Sequence, residues 1–398
     1  MRIALVSQEY PPETAHGGIG AQTYLKAHGL AALGHEVVVV SHSADNTQRG
    51  TWDGPVRVIR IPGYDQRLPI HTEPARWLTY SAEAAAAVSA LHSAAPLDIV
   101  DFPEYGAEGF VHLLNQAEWS HIPTVVHVHG PLVMLAHTIG WPELDSELYR
   151  IGTEMERTCL RLADAVFSSS RCSADWCARH YGLDLAHVPI LHTGVDIDLF
   201  RPLAAPKADR PTIVFAGRIA ASKGVETLLE AALRLAAEWP DLQLRMLGRG
   251  DPHLMAKMQA QAQASAWPDL LDLAGFVPRA ALPAQLNRAH VFAAPSWYEG
   301  GPGFVYLEAM ACGLPVIACS GSGAAEVVQH GENGLLVAPG DVDGLVDALR
   351  HLLAEPAERA AMGQRARSYV EREADSRHCL RRMEGLYSAV AAGVTGRR

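Results

Sequence analysis

Short apolar runs, many of them β-branched, alternate with longer helical patterns along most of the chain, and this alternation constrains the fold more than any other feature. A first series of runs lies at 3–7, 37–41, 56–61, 99–102, 124–128, 165–168 and 188–191, and a second at 212–216, 242–247, 271–274, 291–294 and 316–318. Strands separated by helices pair in parallel and are covered by helices on both faces. We therefore predict an α/β fold with two doubly wound parallel sheets.

The domain boundaries follow from length and composition. A chain of 398 residues exceeds what one ordinary core supports. The segment 192–210 is rich in glycine, proline and charged residues and separates the two series, which is typical of a linker. After residue 341 the patterns are almost wholly helical. We predict one domain at 1–200, a second at 201–374 and a C-terminal helix at 375–398.

Charge and cysteine usage argue against several classes of protein. The formal net charge of -11 disfavours nucleic acid and anionic membrane surfaces as partners. The six cysteines show no C-x-x-C spacing, so we expect free thiols and no metal centre. The apolar stretch at 82–91 is shorter than the roughly 20 residues that span a bilayer. No secretory signal is evident, and we expect a cytoplasmic protein for which peripheral membrane contact stays open.

A glycine-rich segment between two carboxylates gives the strongest functional signal. Glu299 precedes the loop 300–303, and Glu308 lies in the short helix that follows. Glycines and a helix N-terminus let backbone amides approach an anion such as a diphosphate. Two carboxylates beside phosphates would repel them unless they face hydroxyl groups, so the pattern predicts a nucleotide sugar. For Glu308, an ion pair near the start of its helix is an alternative.

Two cations follow the first strand of the second series. Arg218 and Lys223 flank a loop, where a guanidinium and an ammonium could both hold a diphosphate. Either one alone would be read as a solvated surface charge, but the pair stands at a strand end where ligands usually bind. The turns at 248–251 and 274–278 are consistent with either turn chemistry or contacts to a base.

The first series offers two weaker candidates. Gly17-Gly18 follows the first strand, where a tight turn and a phosphate contact are equally open, and it does not fit the G-x-G-x-x-G pattern of nicotinamide dinucleotide sites. His127 and His129 end a buried strand. We expect their rings to lie on opposite faces, with His127 packing in the core and His129 facing a cleft.

The order and spacing of these motifs resemble the family-4 retaining glycosyltransferases (glycosyl transferases group 1) of the GT-B fold. The resemblance runs over nearly the whole chain and rests on Gly17-Gly18, Gly34-His35-Glu36-Val37, His129, Gly194-Val195-Asp196, Gly217-Arg218, Lys223-Gly224, Gly275-Phe276-Val277 and 295–317. It implies two Rossmann-like domains facing a central cleft, with the donor bound mainly by the second. It also implies that the last helix crosses back to the first domain.

The resemblance implies a role for each matching residue. Arg218 and Lys223 would hold the diphosphate and stabilise the leaving nucleotide, Glu308 would bind ribose, and Glu299 would bind the transferred sugar. His129 would contact that sugar near the reacting carbon. The remaining donor contacts are Gly17, Gly18, Phe276, Val277, Gly301, Pro302, Gly303, Phe304 and Val305. His129, Arg218, Lys223 and Glu299 would form the catalytic group.

The chain departs from the family pattern in three places. Glu299 and Glu308 are nine positions apart where eight is usual, so the assignment of individual loop amides is open. Thr193 replaces a frequent asparagine. His16 replaces the lysine of the glycogen-synthase branch, which argues against ADP-glucose polymer synthesis.

Together these features predict a retaining hexosyltransferase that moves a hexose or N-acetylhexosamine from a nucleoside diphosphate sugar to an unidentified acceptor hydroxyl. We expect a UDP-linked co-substrate, with GDP and dTDP open, and front-face chemistry with neither metal nor cofactor. A GT-B epimerase or hydrolase and a catalytically silent binding protein are the alternatives. The intact set of Arg218, Lys223, Glu299 and Glu308 disfavours the silent protein.

Overall fold

The computed structural model describes residues 1–14, 18–63, 70–204 and 206–393. These residues divide into two compact units: Met1–Thr193 with the segment that begins at Arg377, and Gly194–Ser376. The observed boundaries, after Thr193 and after Ser376, thus lie a few residues from the expected boundaries at 200 and 374. The reason is that Val195 pairs with the segment around Asp375, while Phe200 is buried in the core of the second unit.

The first unit is built on a mostly parallel sheet. Its described strands are β1 (Arg2–Val6), β2 (Glu36–His42), β3 (Arg49–Asp53), β4 (Val56–Ile61), β5 (Ile99–Pro103), β6 (Thr124–Val128) and β7 (Ala165–Ser168). Their order is β3-β4-β2-β1-β5-β6-β7, and the β3/β4 pair is antiparallel. The strand predicted at 188–191 was wrong: within these described residues only a bridge joins Ile190 to Ser168.

Helices cover both faces of this sheet. Along β1, Ile3 and Leu5 belong to one core cluster, whereas Ala4 and Val6 belong to another on the opposite face. The described helices of the first unit are α1 (Gly18–Ala32), α2 (Glu73–Ala94), α3 (Phe110–Leu114), α4 (Leu132–Ile139), α5 (Glu147–Leu162) and α6 (Arg171–Tyr181). A strand buried on both sides needs apolar residues at successive positions, which explains the continuous runs in the sequence.

The last described helix of the chain, α13 (Ser376–Ala391), packs on the first unit. Met383, Tyr387 and Val390 are buried with the side chains of β1 and β2. The Tyr387 hydroxyl donates to the Asp101 carboxylate, and the His35 and Glu384 side chains are 2.8 Å apart. The first unit is therefore built from both ends of the chain.

The second unit contains a fully parallel sheet. Its described strands are β8 (Thr212–Ala216), β9 (Gln243–Leu247), β10 (Leu271–Gly275), β11 (Val291–Ala293), β12 (Val316–Cys319) and β13 (Gly334–Val337), in the order β10-β9-β8-β11-β12-β13. Its described helices are α7 (Val225–Leu235), α8 (Pro252–Gln263), α9 (Leu282–Arg288), α10 (Phe304–Ala311), α11 (Val342–Ala354) and α12 (Pro356–Glu373). The predicted α/β class with two doubly wound parallel sheets is confirmed.

Among the residues that the structure describes, no helix is both long and apolar enough to cross a membrane.

Candidate functional site

Strand order locates a ligand site in the second unit. The chain runs outward from β8 through β9 to β10 and then returns to the other side of β8 at β11. A crevice forms where strand order reverses in this way, at the carboxyl ends of the parallel strands. The loop after β8 carries Arg218 and Lys223, and the loop after β11 carries Glu299 and the glycine-rich segment. The predicted second-unit residues therefore converge on this switch point.

The two loops are fastened together by backbone contacts. The Trp297 N–H donates to the Ser222 carbonyl over 2.9 Å. Gly224 has a φ of 66°, and a Cβ added there would collide with the carbonyl oxygen of Pro295. Only glycine tolerates both the left-handed backbone and this close approach. The contact fixes Lys223 beside the loop that follows β11.

Lys223 and Glu299 form an ion pair across the two loops. The Lys223 ammonium donates to Glu299 Oε1 over 2.6 Å, and the two side chains are 24% and 14% exposed. The sequence analysis assigned the lysine to phosphate and the glutamate to sugar hydroxyls. In this structure each side chain orients the other through their hydrogen bond, and both are largely buried. A ligand that carries both a phosphate and a hydroxyl could break this ion pair, with the phosphate binding the Lys223 ammonium and the hydroxyl donating to the Glu299 carboxylate.

The glycine-rich loop is anchored by backbone contacts with Gly323. The Gly323 N–H donates to the Glu299 carbonyl over 2.8 Å, and a Cβ on Gly323 would collide with the carbonyl oxygen of Gly301. Gly303, with a φ of 65°, precedes α10. Pro302 is buried, whereas Gly301, Gly303, Phe304 and Val305 are partly buried. The loop therefore has a defined shape that presents its backbone at the start of α10.

Glu308 on α10 pairs with Arg279, which the sequence analysis did not identify. Glu308 is 3% exposed, and the Arg279 guanidinium both binds its carboxylate and lies 4.8 Å from the centre of the Phe200 ring. Burial raises the pKa of the Glu308 carboxyl, and the Arg279 charge opposes that rise. The ion pair that sequence reasoning left as an alternative is present, and it holds the carboxylate at a fixed position.

Arg218 is an exposed cation at the end of β8. It has no hydrogen bond or ion pair with any other described residue. Its loop lies against the loop after β9, because the Ile219 N–H donates to the Arg249 carbonyl over 2.8 Å. A Cβ on Gly248 would collide with the carbonyl oxygen of Gly217, so the two loops touch through backbone. Arg218 is thus held at the crevice with its guanidinium available to an anion.

A second cation and an aromatic ring stand at the ends of the next two strands, β9 and β10. Phe276, which follows β10, is 62% exposed, and the Arg249 guanidinium lies 5.4 Å from its ring centre. Val277 is partly buried and packs on the core. The sequence left the turn 248–251, which contains Arg249, open between turn chemistry and contacts to a base, and it assigned Phe276 and Val277 to the donor only through the family resemblance. Arg249 thus adds a second positive charge, with an exposed aromatic ring, on the loop that contacts the Arg218 loop.

In the first unit, His127 and His129 lie on the same face of the sheet, and their ring centres are 3.8 Å apart. The prediction of opposite faces was wrong, because residues two positions apart on a strand point to the same side. His129 is buried, and its Nδ1 has no partner among the described residues. Burial, followed by the nearby Lys26 charge, holds the pKa of His129 well below its ordinary value. His129 is therefore neutral.

His127 belongs to a buried polar network instead of a ligand site. Its Nδ1 lies 3.1 Å from the Lys26 ammonium, and its Nε2 lies 2.8 Å from the Ser169 hydroxyl. Lys26 also donates to Asp101 over 2.6 Å. Because an ammonium can only donate, Nδ1 accepts and the ring carries its proton on Nε2. This network supports the strand end from which His129 projects.

The glycine pair after β1 is only partly described. Gly18 is exposed and begins α1. Gly17 and His16 lie outside the described residues. The Glu9 carboxylate accepts a hydrogen bond from the Gly20 N–H over 3.2 Å, so a side chain of the protein already meets an amide of the first turn of α1.

Comparison with known proteins gives matches along most of the chain. Residues 196–369 match the model of the family described as "Glycosyl transferases group 1", and residues 17–194 match "Glycosyl transferase 4-like domain". The GDP-mannose-dependent alpha-(1-6)-phosphatidylinositol monomannoside mannosyltransferase of Mycolicibacterium smegmatis is 31% identical over 392 residues, covering 92% of this chain and 93% of that protein. The glycogen synthase of Mycobacterium tuberculosis is 28% identical, covering 94% and 90%.

A solved structure shows the same architecture. The sucrose-phosphate synthase of Thermosynechococcus elongatus aligns with a TM-score of 0.84 over 98% of this chain and 99% of that chain, at 24% identity. At this identity the similarity establishes the fold alone.

Proposed function

This chain belongs to the group 1 glycosyl transferases, and we propose that it moves a hexose or N-acetylhexosamine from a nucleoside diphosphate sugar to an acceptor hydroxyl with retained configuration. One observation carries the proposal: Lys223 and Glu299 are paired at the switch point beside Arg218, which has no ion pair with a described residue. These three groups match a diphosphate and a sugar hydroxyl, which are the parts of the donor next to the bond that breaks.

Arg218 and Lys223 stabilise the leaving group in this proposal. As the bond between the anomeric carbon and the phosphate oxygen breaks, negative charge accumulates on the diphosphate. Fixed cations at that position lower the barrier because they require no reorganisation at the moment of reaction. With two cations available for the diphosphate, we propose that no metal ion is needed.

Glu299 binds a hydroxyl of the transferred sugar once a phosphate has taken over Lys223. Both candidate carboxylates, Glu299 and Glu308, are engaged by cations, and the low pKa of His129 keeps its ring neutral. Among the described site residues of the second unit, there is therefore no pair of free carboxylic acids of the kind that acid–base catalysis uses. We therefore propose that the new glycosidic bond forms on the face that the diphosphate leaves, and that the departing phosphate takes the acceptor proton.

UDP and GDP are the first two nucleotides to test as the carrier of the donor sugar. The sequence analysis favours UDP, whereas the relative that is 31% identical is GDP-mannose-dependent by its name. Thermal shift with UDP-, GDP-, dTDP- and ADP-linked sugars identifies the donor. Consumption of that donor with and without candidate acceptors then tests the reaction. Transfer requires an acceptor; conversion of donor alone would identify an epimerase or hydrolase, and a thermal shift without turnover would identify a binding protein.

Replacing Glu308 with glutamine is expected to weaken binding of the preferred nucleoside diphosphate about tenfold. The neutral amide keeps the size of the side chain but loses the charge that strengthens bonds to ribose hydroxyls. Wild-type protein should prefer the ribonucleotide over its 2′-deoxy analogue, and the variant should lose that preference. Calorimetric titration of both nucleotides measures this, with the exposed Glu332→Gln as the matched control. Equal affinities in wild type and variant would refute ribose recognition.

A further inference from the structure

Two buried carboxyl groups of the first unit bind the backbone between β6 and α4. Glu104 directly follows β5, Glu156 lies on α5, and both side chains are 0% exposed. Glu104 Oε1 accepts a hydrogen bond from the Gly130 N–H over 2.5 Å, and Glu156 Oε2 accepts one from the Leu132 N–H over 3.0 Å. Both carboxyl groups thus hold the backbone immediately after His129, although the mechanism proposed above uses neither of them.

The start of α4 has no hydrogen-bond acceptor of its own. Pro131 occupies the N-cap position and makes no side-chain hydrogen bond to the helix. The first amides of a helix have no partner within the helix, and a buried amide without any partner is costly. Gly130 and Leu132 are both buried. Glu104 and Glu156 therefore supply acceptors that this part of the backbone lacks.

Both carboxyl groups are themselves fixed in place. The Glu104 N–H donates to the His127 carbonyl over 3.0 Å, which fastens this residue to β6. The Tyr181 hydroxyl donates to Glu156 Oε2 over 2.6 Å. A Cβ on Gly152, one helical turn before Glu156, would come within 2.7 Å of the side chain of the first residue of α4. The close packing of α5 on α4 therefore keeps Glu156 within reach of the amide that it binds.

The surroundings of the two carboxyl groups do not favour a negative charge. Glu104 Oε2 and Glu156 Oε1 have no partner among the described residues, and the other two oxygens bind only N–H and O–H groups of neutral residues. Burial raises the pKa of Glu104 to about 7, and burial followed by the Glu104 charge raises the pKa of Glu156 well above its ordinary value. A carboxylate kept for its charge would be expected beside a cation. The property that this backbone requires is an oxygen that accepts a hydrogen bond.

We propose that Glu104 and Glu156 are positioning residues for sugar transfer, because they fix the backbone that carries His129 and thereby the place of its ring. The proposal rests on the proposed transferase function and on the sugar contact that the family resemblance implies for His129. Nδ1 of that ring has no partner among the described residues, so the backbone has to fix the ring. A misplacement of about 1 Å near the reacting atoms can cost about 100-fold in rate.

The test compares leucine with glutamine at each position. Glu104→Leu and, separately, Glu156→Leu remove the accepting oxygen and should each lower kcat about 100-fold per folded molecule. Glu104→Gln and Glu156→Gln keep a carbonyl oxygen at the same reach and should restore most of the rate. Near-UV circular dichroism measures the folded fraction. Nucleoside diphosphate affinity, measured by calorimetry, should be unchanged in all four variants, because the candidate diphosphate contacts lie in the second unit. Glu154→Leu, at an exposed position of α5, is the matched control and should change nothing.

A double-mutant cycle shows whether the effect passes through His129. In a His129→Ala background, Glu104→Leu should lower kcat little further, because both changes remove the contribution of the same ring. If Glu104→Leu does not fold, Glu104→Asp withdraws the oxygen by one methylene group and should show the same loss and the same cycle.

Three results would overturn the proposal. Normal kcat in both leucine variants would show that the two carboxyl groups only stabilise the fold. An equal loss of kcat in the leucine and glutamine variants would show that charge is what matters. Full additivity with His129→Ala would show that the effect does not pass through that ring. If the wild-type protein transfers no sugar from any donor, it is the proposed function that fails.

Discussion

Replacing Lys223 with alanine is expected to lower kcat for sugar transfer by about 100- to 1,000-fold, the usual cost of removing one fixed group that stabilises charge in a transition state. The Lys223 ammonium lies 2.6 Å from Glu299 Oε1 in the loop after β8, where we propose that a departing diphosphate gains charge. Its loss leaves Arg218 as the remaining cation of the predicted pair. Steady-state rates with saturating donor and acceptor measure the effect.

The ion pair sharpens this experiment, because Lys223→Ala also leaves the Glu299 carboxylate without its counter-charge. That carboxylate would then repel a diphosphate, so nucleoside diphosphate affinity should fall together with kcat. Adding Glu299→Gln should restore part of the affinity but none of the rate. Lys257→Ala removes an exposed lysine that is likewise paired with a glutamate, Glu226, and should leave both quantities unchanged. Near-normal turnover in Lys223→Ala would rule out the assigned role.

The two sheets could be predicted from the sequence because their central strands are buried on both faces and therefore read as continuous apolar runs. Of the two strands that were missed, only the first lacks this signal. β3 is the edge strand Arg-Gly-Thr-Trp-Asp, whose residues are largely exposed, whereas β13, Gly-Leu-Leu-Val, is largely buried and was missed although it is apolar. The run at 188–191 has strand-like composition but forms only the bridge at Ile190. Composition reports burial, whereas pairing depends on which neighbours are available.

The candidate site was predictable where a motif is local and unpredictable where a contact joins distant segments. Arg218, Lys223 and Glu299 stand at strand ends, and parallel strands bring such ends to one edge. Arg279 escaped notice because its partner, Glu308, lies 29 residues further along the chain and meets it only after folding. The ion pair between Lys223 and Glu299 was missed for the same reason, although both residues had been named.

Replacing Lys26 with methionine is expected to lower the free energy of unfolding of the first unit by about 3–5 kcal/mol. The Lys26 and Asp101 side chains are 5% and 2% exposed and form an ion pair over 2.6 Å. Methionine fills similar space but leaves the Asp101 carboxylate buried, with the Tyr387 hydroxyl of α13 as a remaining donor. It also removes the donor that faces His127 Nδ1. An uncompensated buried charge is among the most destabilising changes a protein can suffer.

Urea unfolding followed by hydrogen exchange and mass spectrometry measures this effect unit by unit, because peptides from β1 and β5 report on the first unit and peptides from β8 on the second. Lys257→Met breaks an exposed pair and should cost less than about 1 kcal/mol. Lys26→Met combined with Asp101→Asn should be more stable than Lys26→Met alone, since a buried amide costs less than a buried carboxylate. If the double variant were the less stable of the two, the penalty would come from lost packing and not from the stranded charge. If Lys26→Met were as mild as Lys257→Met, the buried pair would contribute nothing to holding α1 and α13 on the sheet.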